Sequence, residues 1–184
     1  MNKLEDYIQI FDNILDPIFC QELINEYFYD KWEKATTRSG HNPAVRSCSG
    51  ICISDNESLD KNYEARYNIV NTIFNATTEC LEKYSTIFKY FHVDQNTGFD
   101  LLKYEKNQFY KQHVDTFIRS PRSLTASYFL NSDYEGGYMN FFDRQIQIKP
   151  KVGSVLMFPS NFMYPHEVSL ITKGIRYSIV TWFK

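Results

Sequence analysis

Two kinds of hydrophobic spacing divide the chain near residue 99. Ahead of that point, apolar positions recur at helical intervals. Asp16-Pro17 followed by Ile18, Phe19, Leu23, Ile24 and Tyr27 predicts a capped amphipathic helix with proline at its first position, where a missing N–H costs nothing. Residues 60–85 repeat the pattern, with Tyr67, Val70, Ile73, Phe74, Thr77 and Leu81 on the expected apolar face. Between them, Thr36-Thr37-Arg38-Ser39-Gly40-His41-Asn42-Pro43 is a loop by composition.

Beyond residue 99 the segments shorten and alternate. Residues 99–105, 109–115, 124–130, 137–142, 145–149, 154–159, 165–170 and 175–183 are strand-like, and they are separated by turn signals such as Lys106-Asn107, Gly136-Gly137 and Lys173-Gly174. Eight short strands at near-regular spacing predict a sandwich or barrel, and eight is the number of a jelly roll. Helices first and strands after make the expected fold mainly β with an α buttress (α+β). The expected architecture is a double-stranded β-helix preceded by two or three helices. One domain over 1–184 is expected, with 1–95 as helical support and lid and 96–184 as the β-helix core. No internal repeat or low-complexity tract interrupts it.

Composition narrows the function classes. Apolar residues make up 43% and aromatics 17% of 184 residues, which excludes intrinsic disorder and favours sheet. A net charge of -2 lacks the footprint of a dedicated nucleic-acid or membrane-surface binder, so neither partner is expected. Glu5, Asp6 and Asp12 stand where a signal peptide needs an apolar run, so a cytoplasmic location is expected. Cys20, Cys48, Cys52 and Cys80 are then most simply reduced thiols. The Cys48/Cys52 pair has no partner pair to make a zinc site.

The chemistry concentrates in the strand-rich half. His113-Val114-Asp115 closes a predicted strand, and side chains at i and i+2 project from the same face. His166 follows on a later strand entered through Tyr164-Pro165. Two histidines and one carboxylate are the set that holds Fe(II) on one face of an octahedron, with the remaining positions open. Arg176, on the last strand, carries a guanidinium suited to gripping a carboxylate with two parallel hydrogen bonds. An H-x-D alone is most often incidental; the four residues on successive strands of one jelly roll make the stronger pattern.

The motifs run Tyr104-x5-Tyr110-x2-His113-x-Asp115, then Leu124 to Asn131, Glu135-Gly136-Gly137, Pro165-His166-Glu167-Val168 and Arg176 to Trp182. Together they resemble the Fe(II)/2-oxoglutarate-dependent dioxygenases, most of all the prolyl 4-hydroxylase subgroup. The resemblance implies His113, Asp115 and His166 as iron ligands and Arg176 as the clamp on 2-oxoglutarate. It adds Tyr104 and Tyr128 as cofactor-pocket hydroxyls, with Thr172 or Ser178 supplying a further one. Fe(II), 2-oxoglutarate and O2, with ascorbate as a candidate reductant, are the implied cofactors. The retained carboxylate Asp115 argues for hydroxylation, since relatives that halogenate lack it.

Substrate contacts are expected from Tyr110, Arg119, Arg122 and Trp182, and a lid from the loop at residues 35–49; solvated loop charges are the plainer reading of the arginines. Leu102, Phe129, Phe141, Met157 and Val180 are expected to wall the site, chiefly as core. The implied substrate is a peptidyl proline. A hydroxylase of a free amino acid or other small molecule, and a non-catalytic jelly-roll binding module, are the alternatives.

Overall fold

The computed structural model describes residues 2–37, 39–54 and 62–184. Arg38 of the expected lid and residues 60–61 of the expected second helix lie outside them. A 3-10 turn at Leu4–Tyr7 precedes β1 (Gln9–Phe11), α1 (Pro17–Glu26), β2 (Glu33–Lys34), β3 (Ser49–Cys52) and α2 (Tyr63–Ile87). Then come β4 (Asp100–Tyr104), β5 (Tyr110–His113), β6 (Leu124–Phe129), β7 (Glu135–Gly136), β8 (Met139–Phe141) and β9 (Ile146–Ile148). The chain closes with β10 (Val155–Pro159), β11 (His166–Val168), β12 (Ile171–Lys173) and β13 (Arg176–Phe183).

A seven-stranded sheet has the order β1-β10-β6-β13-β4-β3-β2. A four-stranded sheet has the order β5-β11-β8-β9, and β12 pairs with β7. These two principal sheets are the double-stranded β-helix that the strand spacing predicts. Each of the eight expected strands is present. The large sheet also takes β1, β2 and β3 from the first half of the chain, so strand pairing is not confined to residues 96–184. These three are two to four residues long, too short to show a period of two.

The helices form for the reasons expected. Asp16 caps α1, its Oδ1 accepting from the Ile18 N–H at 2.7 Å, and Pro17 takes the first position. In α2 the buried face is Ile73, Ala76, Thr77, Cys80 and Tyr84. Tyr67 and Phe74, expected on that face, are half-exposed. Each residue turns the helix by about 100°, and both stand roughly that angle away from Ile73. Among the described residues no helix is long and apolar enough to cross a membrane.

The large sheet is buried on both faces, which is what positions the site. On one face Leu124, Ala126, Tyr128, Val155, Met157 and Ile179 pack with Leu23, Ile24, Ile73 and Cys80 of the helices. The opposite parity, Leu102, Tyr104, Phe129, Leu156, Phe158 and Val180, turns toward the small sheet and its Phe141 and Val168. Met157 therefore belongs to the helix side and does not wall the site as expected. The other expected wall residues, Leu102, Phe129, Phe141 and Val180, stand on the inner side with Trp182 packed against them.

Candidate metal centre and active-site cavity

Between the sheets lies a cavity of about 300 Å³. Its lining includes His113, Asp115 and His166, with Arg176, Ser178, Tyr104, Arg122 and Trp182. The register of the small sheet makes His113 and His166 direct cross-strand partners on β5 and β11. Residues so paired hold their side chains side by side, and the two imidazole centroids are 4.3 Å apart. The Nε2 atom of His113 lies 3.4 Å from Oδ1 of Asp115, and Nε2 of His166 lies 3.5 Å from Oδ2. One ligand atom from each of the three residues falls within 4.8 Å of the others.

Backbone contacts decide which nitrogen faces inward. His113 Nδ1 is 2.8 Å from the Lys111 carbonyl and His166 Nδ1 is 3.1 Å from the Tyr164 carbonyl. A carbonyl only accepts, so Nδ1 carries the proton in each ring and Nε2 offers its lone pair to the centre. Burial holds His166 down to about 4, against the pull of Asp115, which keeps it neutral. Burial alone would raise the Asp115 carboxyl. The two imidazoles and the Thr125 hydroxyl outweigh that and hold it well below the usual carboxylate range. Two imidazoles that present Nε2 and an ionised carboxylate on one side of a cavity fit a divalent non-haem iron.

Around this set stand Thr125 and Ser160, which the sequence reading did not single out, and Arg122, which it expected at the substrate. Thr125 Oγ1 donates to Asp115 Oδ2 at 2.7 Å and lies 2.8 Å from Ser160 Oγ. Arg122 Nη1 donates to the Asp115 carbonyl at 3.2 Å. Its guanidinium lies 3.6 Å above the centre of the Trp182 ring, and its buried Nε has no hydrogen-bond partner. A parity count outward from Asp115 offers no route to Thr125 or Ser160; only the folded chain joins them.

The anion-binding end is built from β13 and its neighbours. Arg176 is 1% exposed, yet it makes one hydrogen bond, from Nη1 to Ser178 Oγ at 3.0 Å. Its Nε and Nη2 are buried without partners. The guanidinium lies over Tyr104 and Phe129, at 5.2 and 5.0 Å from their ring centres. Unpaired N–H groups on a buried cation are costly unless a ligand answers them, and a carboxylate suits that fork. Gly137, at φ 66°, makes room beside it: a Cβ there would come 3.0 Å from Arg176 Cδ and 2.5 Å from Ile171 Cδ1. The Gly136-Gly137 pair has the positive φ that the turn signal predicts.

Several expected placements change. Tyr128 is not in the cavity. It has the parity of Leu124 and Ala126, and its hydroxyl bonds to Thr77 of α2 on the helix side of the sheet. Arg119 does not line the cavity and is exposed, the plain outcome for a loop charge, whereas Arg122 of the same loop does line it. Of the two further hydroxyls, Ser178 lines the cavity and Thr172 does not. His41 and His92 are exposed and outside the cluster. Thr36, Thr37 and Arg46 of the expected lid reach the cavity wall.

Residues 99–184 match the family described as the 2OG-Fe(II) oxygenase superfamily. A putative prolyl 4-hydroxylase of Acanthamoeba polyphaga mimivirus is 24% identical over 197 residues, covering 95% of this chain and 73% of that protein. Prolyl 3-hydroxylase 2 of Homo sapiens is 36% identical over 67 residues; the match covers 34% of this chain and 10% of that much longer protein. In fold, the chain is similar to a prolyl hydroxylase from Trichoplax adhaerens in complex with a hypoxia inducible factor oxygen degradation domain peptide fragment. The TM-score is 0.80 at 18% identity, covering 96% of this chain and 83% of the other.

Proposed function

This chain is a 2OG-Fe(II) oxygenase of the prolyl 4-hydroxylase-like type, and from that premise we propose that it hydroxylates a proline residue within a peptide. His113, Asp115 and His166 would hold Fe(II) through two Nε2 atoms and a carboxylate oxygen. The unpartnered Nε and Nη2 of Arg176 would hold the distal carboxylate of 2-oxoglutarate, with Ser178 and Tyr104 beside it. When bound, these groups supply the oxidation: 2-oxoglutarate and O2 give succinate and carbon dioxide, and a substrate C–H becomes C–OH.

The protein's own part is to bind, orient and shield. Thr125 and Arg122 fix the Asp115 carboxylate and its backbone, so that its two oxygens stay turned to the two histidines. Leu102, Met139, Phe158, Val168 and Val180 give the cavity apolar walls that leave few sites for water. No titrating side chain other than the metal set is needed as an acid or base. At about 300 Å³ the cavity is at the small end for a ligand site. It suits a dicarboxylic acid with one substrate side chain, the rest of a peptide lying across the mouth. There Arg122, stacked on Trp182, lines the wall, and Tyr110 lines it as well.

The observation that carries this reading is the meeting of His113, Asp115 and His166 in the cavity that Arg176 also lines, its Nε and Nη2 without partners. The test is succinate formation from 2-oxoglutarate with Fe(II), ascorbate and air, against a panel of proline-containing peptides and free amino acids. Succinate matched by a one-oxygen mass gain on a prolyl peptide is expected. Turnover with free amino acids alone would overturn the peptide assignment, and no succinate with any substrate would overturn the oxygenase reading.

A further inference from the structure

We propose that Arg46 is a positioning residue that braces the metal ligand His113 through the ring of Tyr110, tying the mouth of the cavity to the metal centre. This rests on the ligand assignment made above and adds a residue to it.

Residues 45–47 run beside β5: Ser47 N–H donates to the Phe109 carbonyl at 3.1 Å, and Lys111 N–H to the Val45 carbonyl at 2.9 Å. Arg46 is thereby bridged to Tyr110. Three residues later the same stretch has become β3, paired with β4 of the large sheet. This segment crosses from one sheet to the other, and Arg46 sits at the crossing.

The side chains then form three layers. The Arg46 guanidinium lies 4.7 Å from the centre of the Tyr110 ring. The Tyr110 ring is stacked on His113, with centroids 3.5 Å apart and planes 16° from parallel. Arg46 is itself held from two sides, Nε donating to Cys48 Sγ at 3.3 Å and Nη1 to the Thr36 carbonyl at 3.0 Å. A cation on the face of a tyrosine fixes that ring. A ring packed flat on an imidazole fixes the imidazole in turn. His113 also keeps its Nδ1 bond to Lys111, but one hydrogen bond leaves rotation about its own axis free. The stacked ring removes that freedom, so the Nε2 lone pair is aimed before a metal arrives. Thr36, whose carbonyl holds Arg46, also lines the cavity.

The test is Co(II) binding to metal-free protein, followed through the visible bands of the ion, with folding checked by circular dichroism. Arg46→Ala should weaken Co(II) by about 10-fold, the usual scale for groups that orient a ligand. Arg46→Lys should recover part of the loss. Tyr110→Phe keeps the ring and should bind as the wild type does, whereas Tyr110→Leu should match Arg46→Ala. The double variant Arg46→Ala/Tyr110→Leu should be no weaker than either single one, because both act along one path. Unchanged Co(II) affinity in Arg46→Ala, even with a raised peptide KM, overturns the proposal and makes Arg46 a substrate contact. Losses that add in the double variant overturn it as well. Should Arg46→Ala fail to fold, Arg46→Gln, which keeps the stem and removes the cation, takes its place in the same Co(II) comparison and is read in the same way. A folded wild type that takes up no Co(II) fails at the metal centre itself, and the coupling falls with it.

Discussion

The two faces of the seven-stranded sheet are made by the same strands, yet one is closed against the helices and the other borders a cavity. On the helix face Tyr128 bonds to Thr77, whose hydroxyl also donates to the Ile73 carbonyl. Leu23, Ile73, Cys80, Val155 and Ile179 close around them with no measurable exposure. On the inner face Arg176, Trp182 and Arg122 keep buried N–H groups without partners, around a cavity. Burying a polar group without an answering partner destabilises a fold. Thr181 Oγ1 and Trp32 Nε1 are buried without partners on the helix side too, but they do not line the cavity; the unanswered guanidinium groups of the inner face do, and a ligand can reach that face.

Substitutions of opposite parity break this comparison apart. The largest effect is expected at Asp115→Ala, which removes the carboxylate to which both Nε2 atoms turn. Co(II) binding and succinate formation should both vanish while circular dichroism is kept; retained turnover would contradict the ligand set. Arg176→Ala comes next. Losing a buried, charge-assisted contact of about 3 kcal/mol should raise the 2-oxoglutarate KM by about 100-fold while leaving Co(II) affinity in place. A titration of KM against the wild type checks it. Tyr128→Phe is the smallest. It should cost about 1 kcal/mol of stability in a denaturant titration, from the lost bond to Thr77, with no change in the 2-oxoglutarate KM. A raised KM would return Tyr128 to the cofactor pocket and blur the division between the faces.

Gly137 shows how closely the inner face is fitted. Its bare Cα lies against Arg176 and Ile171, where any side chain would have to push one of them aside. The turn it occupies is visible as Gly136-Gly137 in the text of the chain, but the residue it protects is 39 positions away.

What the sequence determined by itself is local or periodic. The i, i+2 spacing of His113 and Asp115 predicts a shared side of an extended segment; β5 ends at His113, and the two still meet just past it, His113 Nε2 lying 3.4 Å from Asp115 Oδ1. The Asp16-Pro17 cap and the turn signals likewise act within a few residues. The motif set, as a resemblance, pointed to the ligands and to Arg176. Which face Tyr128 takes was left to the tertiary structure, because every residue of β6 from Leu124 to Phe129 is buried. A strand covered on both sides is apolar or small throughout, and alternation then carries no sign of inside and outside. Thr125, Ser160 and the Arg46–Tyr110–His113 stack depend on strand register between distant segments. That register is chosen by packing the whole core, and no short stretch of residues encodes it.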